Sequence, residues 1–265
     1  MRRQSEAATA LWIFVAGRVL NTSNIQSGVA HRLPPALQIS LASALQIMDK
    51  PEVLKRIRST GLIPVVRAES SDQAMRAVAA LKDGGLDVLE ITMTVPGAVE
   101  VIRILAAEYG DETLIGAGTV LDPETARACI EAGAKFIVSP ALNEETIRFC
   151  RDRGVAVFPG ALTPTEVVRA WKAGADAVKV FPAGAVGGAS YLRALKAPLP
   201  QIELIPTGGV SLRTASDFIK AGAMALGVGA DLVDPQALRE GNSTLITERA
   251  RQFVAIVQLT RDSCG

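Results

Sequence analysis

Short apolar segments recur about every 20 to 26 residues from position 62 onward, separated by amphipathic stretches of helical period. Strands that alternate with helices pair in parallel, because a parallel pair needs a crossover that a tight turn cannot supply. The strands read from the sequence are 62–68, 87–94, 114–120, 136–140, 156–160, 177–183, 203–209 and 224–229. Helices are expected over 73–82, 98–108, 123–131 and 164–172, with Pro123, Pro164 and Pro96 at helix starts, where a missing N–H is tolerated.

A weak internal repeat supports this rhythm. Glu131-Ala132-Gly133-Ala134, Lys172-Ala173-Gly174-Ala175 and Lys220-Ala221-Gly222-Ala223 each precede a strand, and Arg153-Gly154-Val155 is a looser copy. Glycine there suits the left-handed residue that ends a helix. Eight such units in about 200 residues predict a single-domain (β/α)8 TIM barrel. The competing architecture, an open doubly wound sheet, usually carries a glycine-rich loop after its first strand, and Pro64-Val65-Val66-Arg67-Ala68-Glu69 has none.

Composition excludes several function classes. A net charge of +1 and 4% aromatic residues give no footprint for nucleic acid or an anionic membrane. Cys129, Cys150 and Cys264 form no C-x-x-C pair, so reduced thiols in a cytoplasmic protein are expected. The one histidine, His31, falls outside the rhythmic part of the chain. Histidine-ligated zinc, a Ser-His-Asp triad and a histidine acid/base are thereby denied to the main domain. Proton transfer then falls to a carboxylate, a lysine or a tyrosine.

Residues 1–47 differ from the remainder, which is read as one domain over 48–265. They hold Arg2, Arg3, Arg18 and Arg32 against a single acid, Glu6, and show no sustained period. The apolar run 11–16 is too short to span a bilayer, and no cleavage pattern of a signal peptide follows it. The segment is read as a disordered tail, or as the product of a start chosen upstream of Met48, ahead of the alternative of an organellar transit segment.

One lysine stands apart from its fellows. Lys179 interrupts the apolar strand Ala177-Val178-Lys179-Val180-Phe181, whereas the other seven lysines sit in polar stretches, near helix ends or at a strand's start. Burial in an apolar strand disfavours an ammonium, and a neutral amine can condense with a carbonyl to form a Schiff base. Alone, it would more often be a lysine that snorkels to water. Its surroundings argue otherwise. Side chains alternate along a strand, so with Leu89, Ile91 and Met93 facing the helices, Glu90, Thr92 and Thr94 turn inward; likewise Lys179 and Phe181 turn inward between Val178 and Val180. Arg67, Thr119, Ser139 and Thr207 end other strands. A barrel interior is normally filled by branched apolar residues, and this set of Arg, Glu, Thr and Lys makes a poor core and a plausible active site. Glu90 could be retained simply as an ion-pair partner; beside Lys179, and with no histidine to hand, it becomes the leading proton shuttle.

Thr207-Gly208-Gly209-Val210-Ser211 and Gly227-Val228-Gly229-Ala230-Asp231 follow the seventh and eighth strands. Loops at those two ordinal positions form the usual phosphate cradle of this fold, and glycine lets backbone N–H groups approach the ligand.

Five segments carry a specific resemblance: Val88-Leu89-Glu90-Ile91-Thr92, Gly116-Ala117-Gly118-Thr119-Val120-Leu121, Val138-Ser139-Pro140, Lys179-Val180-Phe181-Pro182-Ala183 and Pro206-Thr207-Gly208-Gly209-Val210. In order and spacing, over roughly 50–260, they resemble the class I 2-keto-3-deoxy-6-phosphogluconate / 4-hydroxy-2-oxoglutarate aldolase family. The resemblance implies a homotrimeric barrel that cleaves a 2-keto-3-deoxy-6-phospho-sugar acid to pyruvate and glyceraldehyde 3-phosphate. It places the Schiff-base lysine at Lys179, the carboxylate acid/base at Glu90 and the pyruvate-contacting threonine at Thr119. Pro140, Phe181 and Thr207 fall on pocket-lining positions, and Gly208, Gly209, Gly229 and Ala230 on the phosphate loops.

The chain departs from the family pattern twice. Some members carry an arginine four residues after the glutamate, where this chain has Thr94; others place an arginine on the first strand, the duty expected here of Arg67. Many members have a serine where Ala230 stands. No metal or cofactor is expected, since an iminium supplies the electrophile, and the expected partner is a small keto acid. The rival readings are a galactonate-epimer aldolase, a sugar-phosphate epimerase, which would not need a lysine in the middle of strand six, and a catalytically inactive phosphate-binding barrel.

Overall fold

The computed structural model describes residues 49–263 and two strands near the N-terminus. The chain divides into two units, Met1–Ile47 and Met48–Gly265. In the first, Trp12–Val15 pairs antiparallel with Arg18–Asn21, with Trp12 opposite Asn21. The sequence reading assigned no element there. His31, Cys264 and the rest of 1–47, with the expectation of a disordered tail, lie outside the described residues.

The second unit opens on α1 (Lys50–Thr60), capped by the Asp49 side chain and ended by left-handed Gly61. Eight strand–helix units follow. The strands are β1 (Leu62–Val66), β2 (Val88–Thr92), β3 (Leu114–Gly118), β4 (Phe136–Val138), β5 (Ala156–Phe158), β6 (Val178–Val180), β7 (Leu204–Pro206) and β8 (Leu226–Val228). The two-residue strand Gly160–Ala161 lies one residue beyond β5. The intervening helices are α2 (Ser71–Asp83), α3 (Ala98–Tyr109), α4 (Pro123–Glu131), α5 (Glu144–Arg151), α6 (Pro164–Ala173), α7 (Ala189–Lys196) and α8 (Ala215–Lys220). The chain ends on α9 (Pro235–Glu240) and α10 (Ser243–Asp262).

All ladders in this unit are parallel. Six strands run in the order β8-β1-β2-β3-β4-β5, and three in the order β7-β6-Gly160–Ala161. A single parallel bridge joins Thr207 to Gly227, just beyond β7 and within β8. The α/β fold with parallel strands is the one the rhythm of the sequence predicts. The observed strands are shorter than the apolar segments, because the ladder ends where the chain turns toward its helix.

Local signals explain most helix boundaries. Pro123 and Pro164 occupy first turns behind the capping side chains of Asp122 and Thr163, and Thr163 forms a reciprocal capping box with Glu166. Their N–H bonds hold both carboxyls low: Asp122 through Thr125, Glu166 through Leu162 and Thr163. Pro96 is a correction, since it lies in the turn before α3, whose cap is left-handed Gly97 (φ 69°). The repeat glycines Gly133, Gly174 and Gly222 all take positive φ at helix ends, as expected.

Two apolar layers follow from the alternation. Leu62, Val66, Leu89, Ile91, Ile115, Ala117, Val178 and Val180 pack on the helix side. Ile63, Val88, Leu114, Phe136, Phe158 and Ile205 form a separate cluster that includes Val53 and Ile57 of α1. Cys129 and Cys150 are fully buried in the helix-side layer, and burial pushes their thiols up, to about 11 and about 12. No helix among the described residues is long and apolar enough to cross a membrane.

Candidate active site

The second cluster fixes which way the reactive residues face. Val88 belongs to it, so Glu90 and Thr92, at two and four residues further along β2, share its face; Ala177 belongs to it, so Lys179 does too. Lys179 is the one lysine among the described residues that is buried, at 3% exposure. Glu90 is equally enclosed, at 2%. Their polar ends meet: Nζ of Lys179 lies 3.9 Å from Oε1 of Glu90, and that oxygen has no hydrogen-bond partner. A buried acceptor without a partner is costly in a finished core, and it marks a group held ready for something else. The Lys179 amine also lies 5.5 Å from the ring centroid of half-buried Phe181. Other lysines are occupied elsewhere, Lys50 with Asp176 at 2.7 Å and Lys135 with Asp111 at 3.1 Å.

The strand ends vary in how well they match expectation. Thr207 is buried, on the face of Ile205. Thr119 lies past the end of β3 with φ 60°, the one positive-φ residue other than glycine among those described. A β-branched residue in that region is strained, and such strain concentrates at functional sites. Strict alternation would have sent Thr119 to the helix side with Ala117; the left-handed turn breaks that pattern. Ser139 directly follows β4, is buried, and its hydroxyl accepts the Ala141 N–H at 3.3 Å. Pro140 follows β4, and its carbonyl is so close to Gly160 that a Cβ there would collide with it.

Arg67 and Thr94 are exposed and line one cavity of about 240 Å³ with Ala68, Glu69 and Gln73. The Thr94 hydroxyl is tied 2.6 Å from that of Thr92, which donates to the Val66 carbonyl at 3.0 Å. Glu69 pairs with Arg239 at 3.2 Å, so it does not serve as a partner for Arg67, which makes no ion pair with any described residue. The Arg67 guanidinium instead reaches toward Gly229, where a built Cβ would stand 3.3 Å from Nη1.

Gly208 and Gly209 are consecutive left-handed residues (φ 82° and 77°). Their loop packs backbone to backbone on the turn after β6: Gly184 N–H donates to the Gly208 carbonyl at 2.9 Å, and a Cβ on Gly209 would stand 2.7 Å from the Gly184 Cα. Among the described residues no acceptor meets the N–H groups of Gly208, Gly209, Gly229 and Ala230. Backbone donors left free in two loops joined by the Thr207–Gly227 bridge are the kind of groups that can receive an anion.

Two glycines mattered more than the sequence disclosed. A Cβ on Gly118 would collide with the Glu90 carboxylate. Gly227, read as part of the phosphate loop, lies within β8, and a Cβ there would strike the Thr207 hydroxyl. Glycine inside a strand was the available signal, since it often marks close approach of another group.

A buried amine–carboxylate pair in mid-strand, with one carboxylate oxygen left without a partner, is the arrangement of a reactive site and not of a finished core. A family model described as "KDPG and KHG aldolase" matches residues 53–249, and the chain belongs to that family of carbon–carbon lyases. It is 38% identical over 203 residues to the 2-dehydro-3-deoxy-6-phosphogalactonate aldolase of Escherichia coli K12, covering 76% of this chain and 95% of that one. It is 34% identical over 206 residues to the 2-dehydro-3-deoxy-phosphogluconate aldolase of Treponema pallidum, covering 78% and 96%. A solved KDPG aldolase from Legionella pneumophila, with pyruvate captured as a covalent carbinolamine, superposes with a TM-score of 0.70 at 29% identity, covering 77% and 97%.

Proposed function

We propose that this protein is a class I aldolase that cleaves a 2-keto-3-deoxy-6-phospho-sugar acid to pyruvate and glyceraldehyde 3-phosphate through a Schiff base on Lys179. The observation that carries the reading is the enclosed Lys179–Glu90 pair, 3.9 Å apart at inward positions of β6 and β2. The neutral Lys179 amine adds to the C2 ketone to give a carbinolamine, and Glu90 donates the proton with which water departs, leaving an iminium. The Glu90 carboxylate then takes the C4 hydroxyl proton. The C3–C4 bond breaks, its electron pair flows into the iminium to form an enamine, and the aldehyde leaves. Glu90 returns the proton to C3, and water releases pyruvate from Lys179.

The remaining roles are those the family resemblance implies. Thr119, Pro140, Phe181 and Thr207 line the pyruvate end, Arg67 beside Thr94 takes the carboxylate, and the free N–H groups of Gly208, Gly209, Gly229 and Ala230 take the phosphate. Ala230 offers no hydroxyl, so its contribution is the backbone donor alone. We infer that the eight strands close as a (β/α)8 barrel. The Thr207–Gly227 bridge and the single residue between β5 and Gly160–Ala161 support closure at the two joins between the six- and three-stranded sets. A homotrimer accords with the family resemblance, and exposed Leu121 and Trp171 are side chains that an interface would cover; sedimentation measures it.

A galactonate-epimer preference is the second reading. It rests on the 38% identity to the galactonate enzyme, which extends over 203 residues. Borohydride reduction with pyruvate tests the chemistry: the adduct is expected on the peptide containing Lys179, and an adduct on Lys135, or normal turnover by Lys179→Ala, overturns the assignment. Turnover of the two phosphorylated epimers side by side decides the substrate.

A further inference from the structure

We propose that Gly118 is a positioning residue for the proton-transfer step: the space left by its missing side chain holds the Glu90 carboxylate within reach of Lys179. The inference rests on the Schiff-base reading and adds to it a residue that touches neither substrate nor amine. β2 and β3 pair in parallel with Glu90 opposite Gly116 and Thr92 opposite Gly118. Glu90 leans across that ladder so that its side chain fills the volume above Gly118. A built Cβ there would lie 2.5 Å from Cδ and 2.6 Å from Cγ of Glu90, and would collide with Oε1. Oε1 is the oxygen that faces the Lys179 amine at 3.9 Å and has no other partner. A single methyl at residue 118 therefore displaces the atom the mechanism uses.

The obstruction is steric and specific. Gly118 does not take a positive φ, so an alanine there meets no backbone penalty. The three heavy atoms nearest to its built Cβ all belong to Glu90. At Gly116, two residues earlier on the same face, the obstruction is instead the ring of Phe136. The pair of glycines thus separates two duties: Gly116 makes room for the apolar floor and Gly118 for the reacting carboxylate.

The test is a double-mutant cycle read by exchange of pyruvate methyl protons and by borohydride trapping. Gly118→Ala is expected to slow exchange by about 10²-fold, the scale of a misplaced acid/base, while the end point of trapping on Lys179 at saturating pyruvate stays that of wild type. Glu90→Asp withdraws the carboxylate by one methylene from the contested space. Adding Gly118→Ala to Glu90→Asp is therefore expected to change exchange by less than about threefold, because the two changes share one contact. Wild-type exchange in Gly118→Ala, or an equal loss in both backgrounds, overturns the proposal. Should Gly118→Ala alone fail to fold, the doubly substituted protein decides: folded with the exchange rate of Glu90→Asp supports the proposal, and unfolded again overturns it. Failure of wild-type protein to trap or exchange pyruvate would instead overturn the Schiff-base reading itself.

Discussion

Replacing Arg67 by alanine tests where the substrate's anionic ends lie. The guanidinium stands at the end of β1, is exposed, and has no carboxylate partner among the described residues, because Glu69 is held by Arg239 at 3.2 Å. A hydrogen bond to a charged group contributes about 1.5–3 kcal/mol. Exposure to solvent screens this one, so the lower end applies, which is roughly tenfold in affinity. The KM of Arg67→Ala is therefore expected to rise by roughly tenfold with kcat little changed, since the contact is made equally before and during bond cleavage. No ion pair is broken, so unfolding free energy should move by no more than about 0.5 kcal/mol. The assay compares apparent KM for cleavage of the phosphorylated substrate with that for methyl-proton exchange of pyruvate, which carries a carboxylate and no phosphate. A loss common to both places Arg67 on the carboxylate. A loss confined to the phosphorylated substrate moves Arg67 to the Gly229 loop, toward which its Nη1 already reaches, and refutes the placement. An unchanged KM with a lowered melting temperature refutes the binding role altogether.

Four further outcomes are expected. Glu90→Gln should fold normally and lose about 10²–10⁴-fold in turnover, with slow pyruvate methyl exchange; wild-type exchange by NMR would count against the acid/base role. Cys129 and Cys150, with thiols raised to about 11 and about 12 by burial, should resist a disulfide reagent at pH 8 until the protein unfolds. Because their folded values lie above the ordinary value of 9.0, the stability they contribute is complete below about pH 9 and is lost as pH rises through 11 to 12, a trend that pH-dependent denaturation measures. A chain starting at Met48 should be folded and active, and loss of solubility or turnover on that truncation would make 1–47 part of the working unit.

Much of this protein is set by local pattern. The period of two within each strand puts Glu90, Thr92 and Lys179 on one face. Proline behind a capping Asp or Thr fixes the starts of α4 and α6, and the repeat glycines fix helix ends. These are short-range effects, decided by backbone sterics and by hydrogen bonds spanning a few residues. Pro96 misled because a proline suits a turn as well as a first helical position, and Gly97 took the cap. Tertiary structure alone decided the rest. Lys179 and Glu90 are 89 residues apart in sequence, and only the order of strands brings their ends to 3.9 Å. Thr119 adopts φ 60° against its own preference, held there by the surrounding fold. Arg67 was free to pair with Glu69 in sequence terms, yet Arg239, from a helix far along the chain, took that partner. Gly118 and Gly227 show the reason most clearly: a glycine within a strand records only an absent side chain, and what that absence admits is fixed by the neighbouring strand that packs across it.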